Sequence, residues 1–235
     1  MSPAALIVGN GPSSKRWSLN KIEDRFGPIG SISRMNHFYI TDAFGTEVDD
    51  LFFSVTDESL IANIYHCIDG KKFTVKNINT PIAPHNLGAI TFLNNINIRN
   101  FWKDLVIDEF FASIYMRGST VKLPTTGLQA LHHRLVAGER EFVVTGIDFY
   151  TGDIRYADQA AMEELDLGHS NLTGYEIGAH SLQDDLNYLL HLSRAYEFSV
   201  KVLCAPPAWR QFGDMLARFG ITSVHIDIVE GEDAT

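Results

Sequence analysis

The feature that most constrains this chain is a continuous apolar run, Ala4-Ala5-Leu6-Ile7-Val8, stopped at once by Gly9-Asn10-Gly11-Pro12-Ser13-Ser14. An apolar run without polar alternation buries both of its faces, as the central strand of a parallel sheet does, and the glycines and proline mark the turn that ends it. Similar runs recur at Leu51-Phe52-Phe53, Phe142-Val143-Val144 and Val200 to Cys204. Helical patterns lie between them. Thr126 to Ala137 carries Leu128, Leu131 and Leu135 at helical spacing, with Gly138 where a C-terminal cap belongs. Ser181 to Tyr196 carries Leu186, Leu189, Leu190 and Ser193 on one face, and Ser181 with Asp184 forms a capping box in which Asp replaces Glu or Gln. A short strand is also expected at Ser31 to Met35.

Strands alternating with helices imply an α/β fold around a mostly parallel sheet, in which ligands gather at the carboxyl ends of the strands. Two stretches look irregular: Asn77 to Asn97, and Thr151 to Ala179, which is long enough to act as a lid. With 235 residues the chain fits one domain, 1–235. Its formal net charge of -10 argues against a nucleic-acid partner, because phosphate backbones demand clustered Lys and Arg. A mononucleotide needs far fewer cations, since backbone N–H groups can hold its phosphate. Cys67 and Cys204 have no metal-ligand spacing and are expected as buried thiols of a reducing compartment. The run Ala4 to Val8 is too short, and lacks the basic flank, for a signal peptide or membrane span, so the expected location is the cytoplasm.

Five short elements could carry chemistry. Gly9-Asn10-Gly11-Pro12-Ser13 follows the first strand, where a glycine turn lets backbone approach a phosphate or ribose, but it lacks the full dinucleotide fingerprint of a nicotinamide enzyme. Asn36, in Arg34-Met35-Asn36-His37-Phe38-Tyr39, offers amide donors and an acceptor to a pyrimidine edge or sugar hydroxyl, and equally suits a turn. Thr125-Thr126-Gly127 opens a helix, where hydroxyls either cap it or join free N–H groups in binding a carboxylate. Thr145-Gly146-Ile147-Asp148-Phe149-Tyr150 and Arg155-Tyr156-Ala157 place two phenols beyond a buried strand, able to stabilise a leaving phosphate or simply to pack. His180 stands just before a helix whose N-terminus disfavours the imidazolium, which suits a general base. The pairs Asp49-Asp50 and Asp184-Asp185 are read as structural, the first preceding a strand and the second capping a helix, and no metal is expected.

The order and wording of these elements resemble the bacterial sialyltransferases of glycosyltransferase family 42. The family pattern runs I-x-x-G-N-G-P-S, C-N-Q-F-Y-F, T-S-G, S-G-I-D-F-Y with S-Y-A downstream, then G-H-S. This chain has Ile7 to Ser13, Met35 to Ile40, Thr125-Thr126-Gly127, Thr145 to Tyr150 with Arg155-Tyr156-Ala157, and Ala179-His180-Ser181. The resemblance implies a Rossmann-like domain with helices on both faces of its sheet, a small lid at 151–179, and inverting transfer from CMP-sialic acid with neither cofactor nor metal. It implies that His180 is the base and that Tyr150 and Tyr156 stabilise the departing CMP. Gly9, Asn10, Gly11, Ser13, Asn36, His37, Ser54, Thr125, Thr126, Gly127 and Asp148 would line the nucleotide and donor site. A galactose-type glycan, as in lipooligosaccharide, would be the acceptor; a homo-oligomer and a peripheral place at the inner membrane are compatible with it. The chain departs from the pattern at four places. Leu123 stands where a basic residue precedes T-S-G, with Lys122 adjacent; His37 replaces Gln; Ser54 replaces Asn; Thr126 replaces Ser. These departures leave room for another CMP-activated acidic sugar, such as Kdo; a second alternative, a catalytically inactive nucleotide-binding relative, is disfavoured by the retention of His180, Tyr150 and Tyr156.

Overall fold

The computed structural model describes residues 3–53, 58–80, 96–105, 112, 122–149, 157, 180–204 and 207–230. The strands among the described residues are β1 (Ala4–Val8), β2 (Ile29–Met35), β3 (Glu47–Phe52), β4 (Thr74–Thr80), β5 (Asn97–Asn100), β6 (Glu141–Thr145), β7 (Phe198–Leu203) and β8 (Val224–Val229). They form one sheet in the order β5-β4-β3-β2-β1-β6-β7-β8. Every neighbouring pair is parallel. The apolar run at the N-terminus is therefore the central strand, flanked on both sides. Its last four residues are buried, while the edge strands β5 and β8 alternate between exposed and covered positions, as strands with one wet face do.

Period-2 alternation sorts the sheet's side chains between two helical layers. Ala5, Ile7, Met35, Phe52, Phe142 and Val144 join the core beneath α4 (Thr126–Val136), α5 (Leu182–Ala195) and α6 (Pro207–Arg218), with the short α3 (Trp102–Leu105) at its margin. On the other face, Leu6, Val8 and Val143 pack with Trp17, Phe44 and Ile22 of α1 (Leu19–Phe26). Beside them Val48, Leu51 and Ile78 meet Leu60 and Ile64 of α2 (Glu58–Asp69). This is the α/β, Rossmann-like architecture expected, with helices on both faces of a sheet whose described strands are all parallel.

Several local expectations need correction. The stretch from Asn77 is not irregular at either end: Asn77 to Thr80 complete β4 and Asn97 begins β5, whereas 81–95 lie outside the described residues. Polar residues are tolerated in β4 because they have partners, Asn77 Nδ2 donating to the Asp49 carbonyl (2.9 Å) and Asn79 Nδ2 to the Asp50 carboxylate (2.7 Å). Asp49 and Asp50 lie within β3 rather than before it. Cys67 and Cys204 are free thiols but only partly buried. The expected lid, apart from Ala157, lies outside the described residues.

One buried ionic group fastens α4 to the sheet. Arg134 pairs with the Asp50 carboxylate at 2.6 Å, donates through Nε to Ser33 Oγ at 2.9 Å, and pairs with Glu139 at 2.9 Å. Such a pair adds little net stability over apolar packing, but removing one member strands the other charge. Asp50→Ala is therefore expected to lower the urea-unfolding free energy by about 3–5 kcal/mol, with Asp50→Asn, which keeps the volume and one acceptor oxygen but not the charge, losing a large part of that. A near-wild-type Asp50→Asn beside a destabilised Asp50→Ala would assign the effect to side-chain volume instead.

Candidate active site

The strand order reverses at β1, whose neighbours are β2 and β6, so the crevice between the loops leaving β1 and β6 is the topological switch point. There the two backbones nearly touch. Gly9 N–H donates to the Thr145 carbonyl at 2.8 Å and Gly11 N–H to the Gly146 carbonyl at 2.9 Å. A Cβ on Gly9 would stand 2.1 Å from the Gly146 oxygen, and one on Gly146, where φ is +70°, would stand 2.3 Å from the Gly9 oxygen. Both positions exclude every side chain. The loops are then locked by Ser13 and Asp148. Ser13 donates to the Asp148 carboxylate through its backbone N–H (2.7 Å) and its hydroxyl (2.5 Å), and the same hydroxyl accepts from Gly146 N–H (2.7 Å). Burial pushes the Asp148 carboxyl up, and the two bonds from Ser13 oppose that shift. Gly11 belongs to this lock too, since a Cβ there would meet the Asp148 carboxylate at 2.4 Å.

The loop after β2 completes the crevice. Asn10 Nδ2 donates to the Met35 carbonyl at 3.0 Å, and Asn36, held at φ +44°, donates its N–H to the Phe52 carbonyl at 2.9 Å. Among the described residues Asn36 Oδ1, which is buried, has no hydrogen-bond partner, which leaves an acceptor for a ligand's N–H or O–H. His37 Nδ1 lies 3.0 Å from the Tyr39 hydroxyl. Beneath them Arg34, wholly buried, donates to the carbonyls of Phe38 (2.7 Å) and Thr41 (3.2 Å) and lies over the Phe44 ring. Burial pushes its pKa down to about 10, with the charge of Asp42 opposing, so it remains a cation at neutral pH. Sequence reasoning gave Arg34 no role, because an Arg at the end of a strand carries no local signal of the turn it pins. A cavity of about 120 Å³ opens between these loops, with Asn10, Lys15, Trp17, Thr41 and Phe44 in its wall.

The third part lies on the α4–α5 side. Thr125 occupies the N-cap of α4 but its side chain makes no capping bond, and its buried Oγ1 has no partner among the described residues. Thr126 begins the helix, and Gly127 is there for packing, since a Cβ would sit 2.7 Å from Ile147. His180 directly precedes Ser181, whose hydroxyl caps α5 by accepting from Asp184 N–H at 3.1 Å. The imidazole Nδ1 is 2.7 Å from the Leu123 carbonyl. A carbonyl only accepts, so Nδ1 carries the hydrogen and Nε2 is the proton-accepting nitrogen of the neutral ring. Burial pushes the His180 pKa below the ordinary histidine value, while the Leu123 bond pulls the other way. Leu123, the residue that departs from the family pattern, thus serves through its backbone.

Ser54, Tyr150 and Tyr156 lie outside the described residues. Their described neighbours are at the site: Phe149, at φ +52°, packs edge-on against the Trp209 ring, and Ala157 N–H donates to the Asn10 carbonyl at 2.9 Å. All four paired aspartates have protein partners. Asp49 takes Lys76 and the Ile32 N–H, Asp50 takes Arg134 and Asn79, Asp184 takes Ser181 and the Lys122 N–H, and Asp185 takes the Thr125 N–H. Among the described residues no group of three or more His, Cys, Asp or Glu is placed to hold a metal, and no helix is long and apolar enough to cross a membrane.

No family model matches the sequence, and no curated protein matches it. Solved structures do. The sialyltransferase CstII of Campylobacter jejuni, in complex with the substrate analogue CMP-3FNeuAc, superposes with a TM-score of 0.64 at 21% identity, over 99% of this chain and 88% of that one. The monofunctional alpha-2,3-sialyltransferase Cst-I of the same organism gives 0.63 at 22% identity, over 86% and 75%. CstII with a trisaccharide acceptor and CMP gives 0.56 at 20% identity, over 86% and 81%. At such identities the likeness establishes architecture, and the chain has the fold of the Campylobacter sialyltransferases.

Proposed function

We propose that this chain is a sialyltransferase of glycosyltransferase family 42, transferring sialic acid from CMP-sialic acid to a galactose-type hydroxyl with inversion and without a metal. The observation that carries the reading is His180, a partly buried imidazole whose hydrogen bond to Leu123 makes Nε2 the basic nitrogen. It stands in a fold whose solved examples include complexes with CMP, CMP-3FNeuAc and a trisaccharide acceptor. The nucleotide would occupy the crevice of Gly9, Asn10 and Asn36, where the unpartnered Asn36 Oδ1 awaits a donor. The donor carboxylate would meet the start of α4 at Thr125 and Thr126, where Thr125 Oγ1 is likewise unpartnered.

In the proposed reaction the acceptor oxygen attacks the anomeric carbon from the face opposite CMP and the bond to the phosphate oxygen breaks. The acceptor proton passes to His180 Nε2, and the electron pair leaves with the phosphate of CMP. Tyr150 and Tyr156 would donate to that phosphate as its charge grows, and the stretch 151–179 would close over the site. Fixed donors and a held base act by positioning, which requires no rearrangement at the moment of reaction. The departures at His37 and Ser54 keep one alternative in view, a transferase for another CMP-linked acidic sugar.

His180→Ala is expected to lower kcat by about 10²- to 10⁴-fold while CMP affinity measured by calorimetry stays near that of the wild type. Near-normal turnover of this variant would reject the base. Since the active form is the neutral ring and burial lowers the His180 pKa, kcat/KM should fall with acid only below the ordinary histidine value of 6.5; an acid limb above that value would contradict the assignment. Turnover should also survive excess EDTA, because the paired aspartates are already engaged by the protein. Loss of activity in chelator, restored by magnesium or manganese, would make the reaction metal-dependent.

A further inference from the structure

The segment that enters α4 and the turn that begins α5 are joined by three hydrogen bonds in a particular arrangement. The Asp184 carboxylate accepts from the N–H of Lys122 at 3.1 Å, and the Asp185 carboxylate accepts from the N–H of Thr125 at 2.9 Å. Leu123 lies between these two anchored amides, and its carbonyl takes the bond from His180 Nδ1 at 2.7 Å. The direction of that carbonyl is therefore set from both sides by carboxylates on the first turn of the helix that His180 precedes.

Helix capping does not account for the second carboxylate. The cap is made by Ser181, whose Oγ accepts from the Asp184 N–H and donates to the Asp184 carboxylate at 2.8 Å. Acidic residues in a first turn also favour the helix dipole, but an exposed side chain suffices for that. Asp185 is wholly buried, which a carboxylate tolerates only when hydrogen-bonded donors replace water. One of the donors it has is the Thr125 N–H, in the segment that presents Leu123 to the histidine.

We propose that Asp185, assisted by Asp184, is a positioning residue for His180: by holding the backbone of residues 122–125 it aims the Leu123 carbonyl at Nδ1 and so keeps Nε2 the unprotonated nitrogen. The proposal rests on the reading of His180 as the base. In water a neutral imidazole favours the opposite tautomer, with hydrogen on Nε2 and no lone pair there to accept a proton. The partner of the other nitrogen decides the outcome. A carbonyl that drifts from Nδ1 thus removes the base without touching the histidine itself.

The test is long-range ¹H–¹⁵N correlation NMR of the full chain, with His180 assigned by its substitution, alongside steady-state kinetics with CMP-sialic acid. The wild type should show His180 as the Nδ1–H tautomer. Asp185→Ala should shift it toward Nε2–H and lower kcat roughly tenfold or more, with little change in the donor KM. Asp185→Asn, which still offers the Thr125 N–H an acceptor, should restore both the tautomer and most of kcat. If Asp185→Ala does not fold, Asp184→Ala opens the other side of the same clamp at a partly buried position and is read in the same spectrum. A folded Asp185→Ala variant with an unchanged Nδ1–H pattern and wild-type kcat overturns the proposal, as does an unchanged pattern in Asp184→Ala when that variant must decide. The spectrum does not depend on turnover, so a tautomer shift in a protein that transfers no sialic acid would uphold the clamp and reject the function.

Discussion

Everything at the candidate site depends on the crossing of two backbones at the head of the sheet, where Gly9 and Gly146 approach so closely that neither can carry a Cβ. The central strand β1 delivers one glycine and its neighbour β6 the other, each at the point where the chain must turn away. Ser13 and Asp148 then tie the loops across this crossing, and Asn10 extends the tie to the end of β2. Loops tied to one another in this way leave a ligand less ordering entropy to offset on binding.

The two candidate halves of the site are carried on opposite layers. The cavity beside Asn10 is walled by Trp17 and Phe44, which belong to the core on the α1 face, whereas His180 and Thr125 hang from α5 and α4 on the other. A nucleotide sugar bound between them would lie across the carboxyl edge of the sheet, with its glycosidic bond near the middle. In the proposed reaction binding would be separate from proton transfer: the first would rest on loops locked by β1, β2 and β6, the second on the junction of α4 with α5.

The sequence was legible where short-range pattern decides the structure. The unbroken apolar run of β1, its glycine turn, the leucine spacing of α4 and α5 and the Ser181 cap all came out as expected, within a residue or two. It was misleading where tertiary partners satisfy residues that locally suggest a loop. Asn77 and Asn79 look like turn residues and are strand residues, because Asp49 and Asp50 accept from them. Asp148 was expected to line the donor site and Asp185 to cap a helix; that the first ties Ser13, that the second holds the Thr125 N–H and that Arg34 pins a turn could not be read, since each depends on a partner far off in the chain or on a turn geometry that pattern does not encode. The Leu123 departure shows the same limit: a side chain out of pattern conceals a backbone carbonyl in place.

The central claim is that this fold, with His180 as its base, moves an acidic sugar from CMP to a glycan. The most direct measurement incubates the purified chain with a panel of CMP-linked sugars and lactose-type acceptors, detects product by mass spectrometry, and determines the anomeric configuration by NMR. The account predicts a sialylated acceptor formed from CMP-sialic acid, with the configuration at the anomeric carbon inverted. Product from CMP-Kdo alone would move the chain to a different donor, and retention of configuration, or no glycan product from any donor in the panel, would contradict the account.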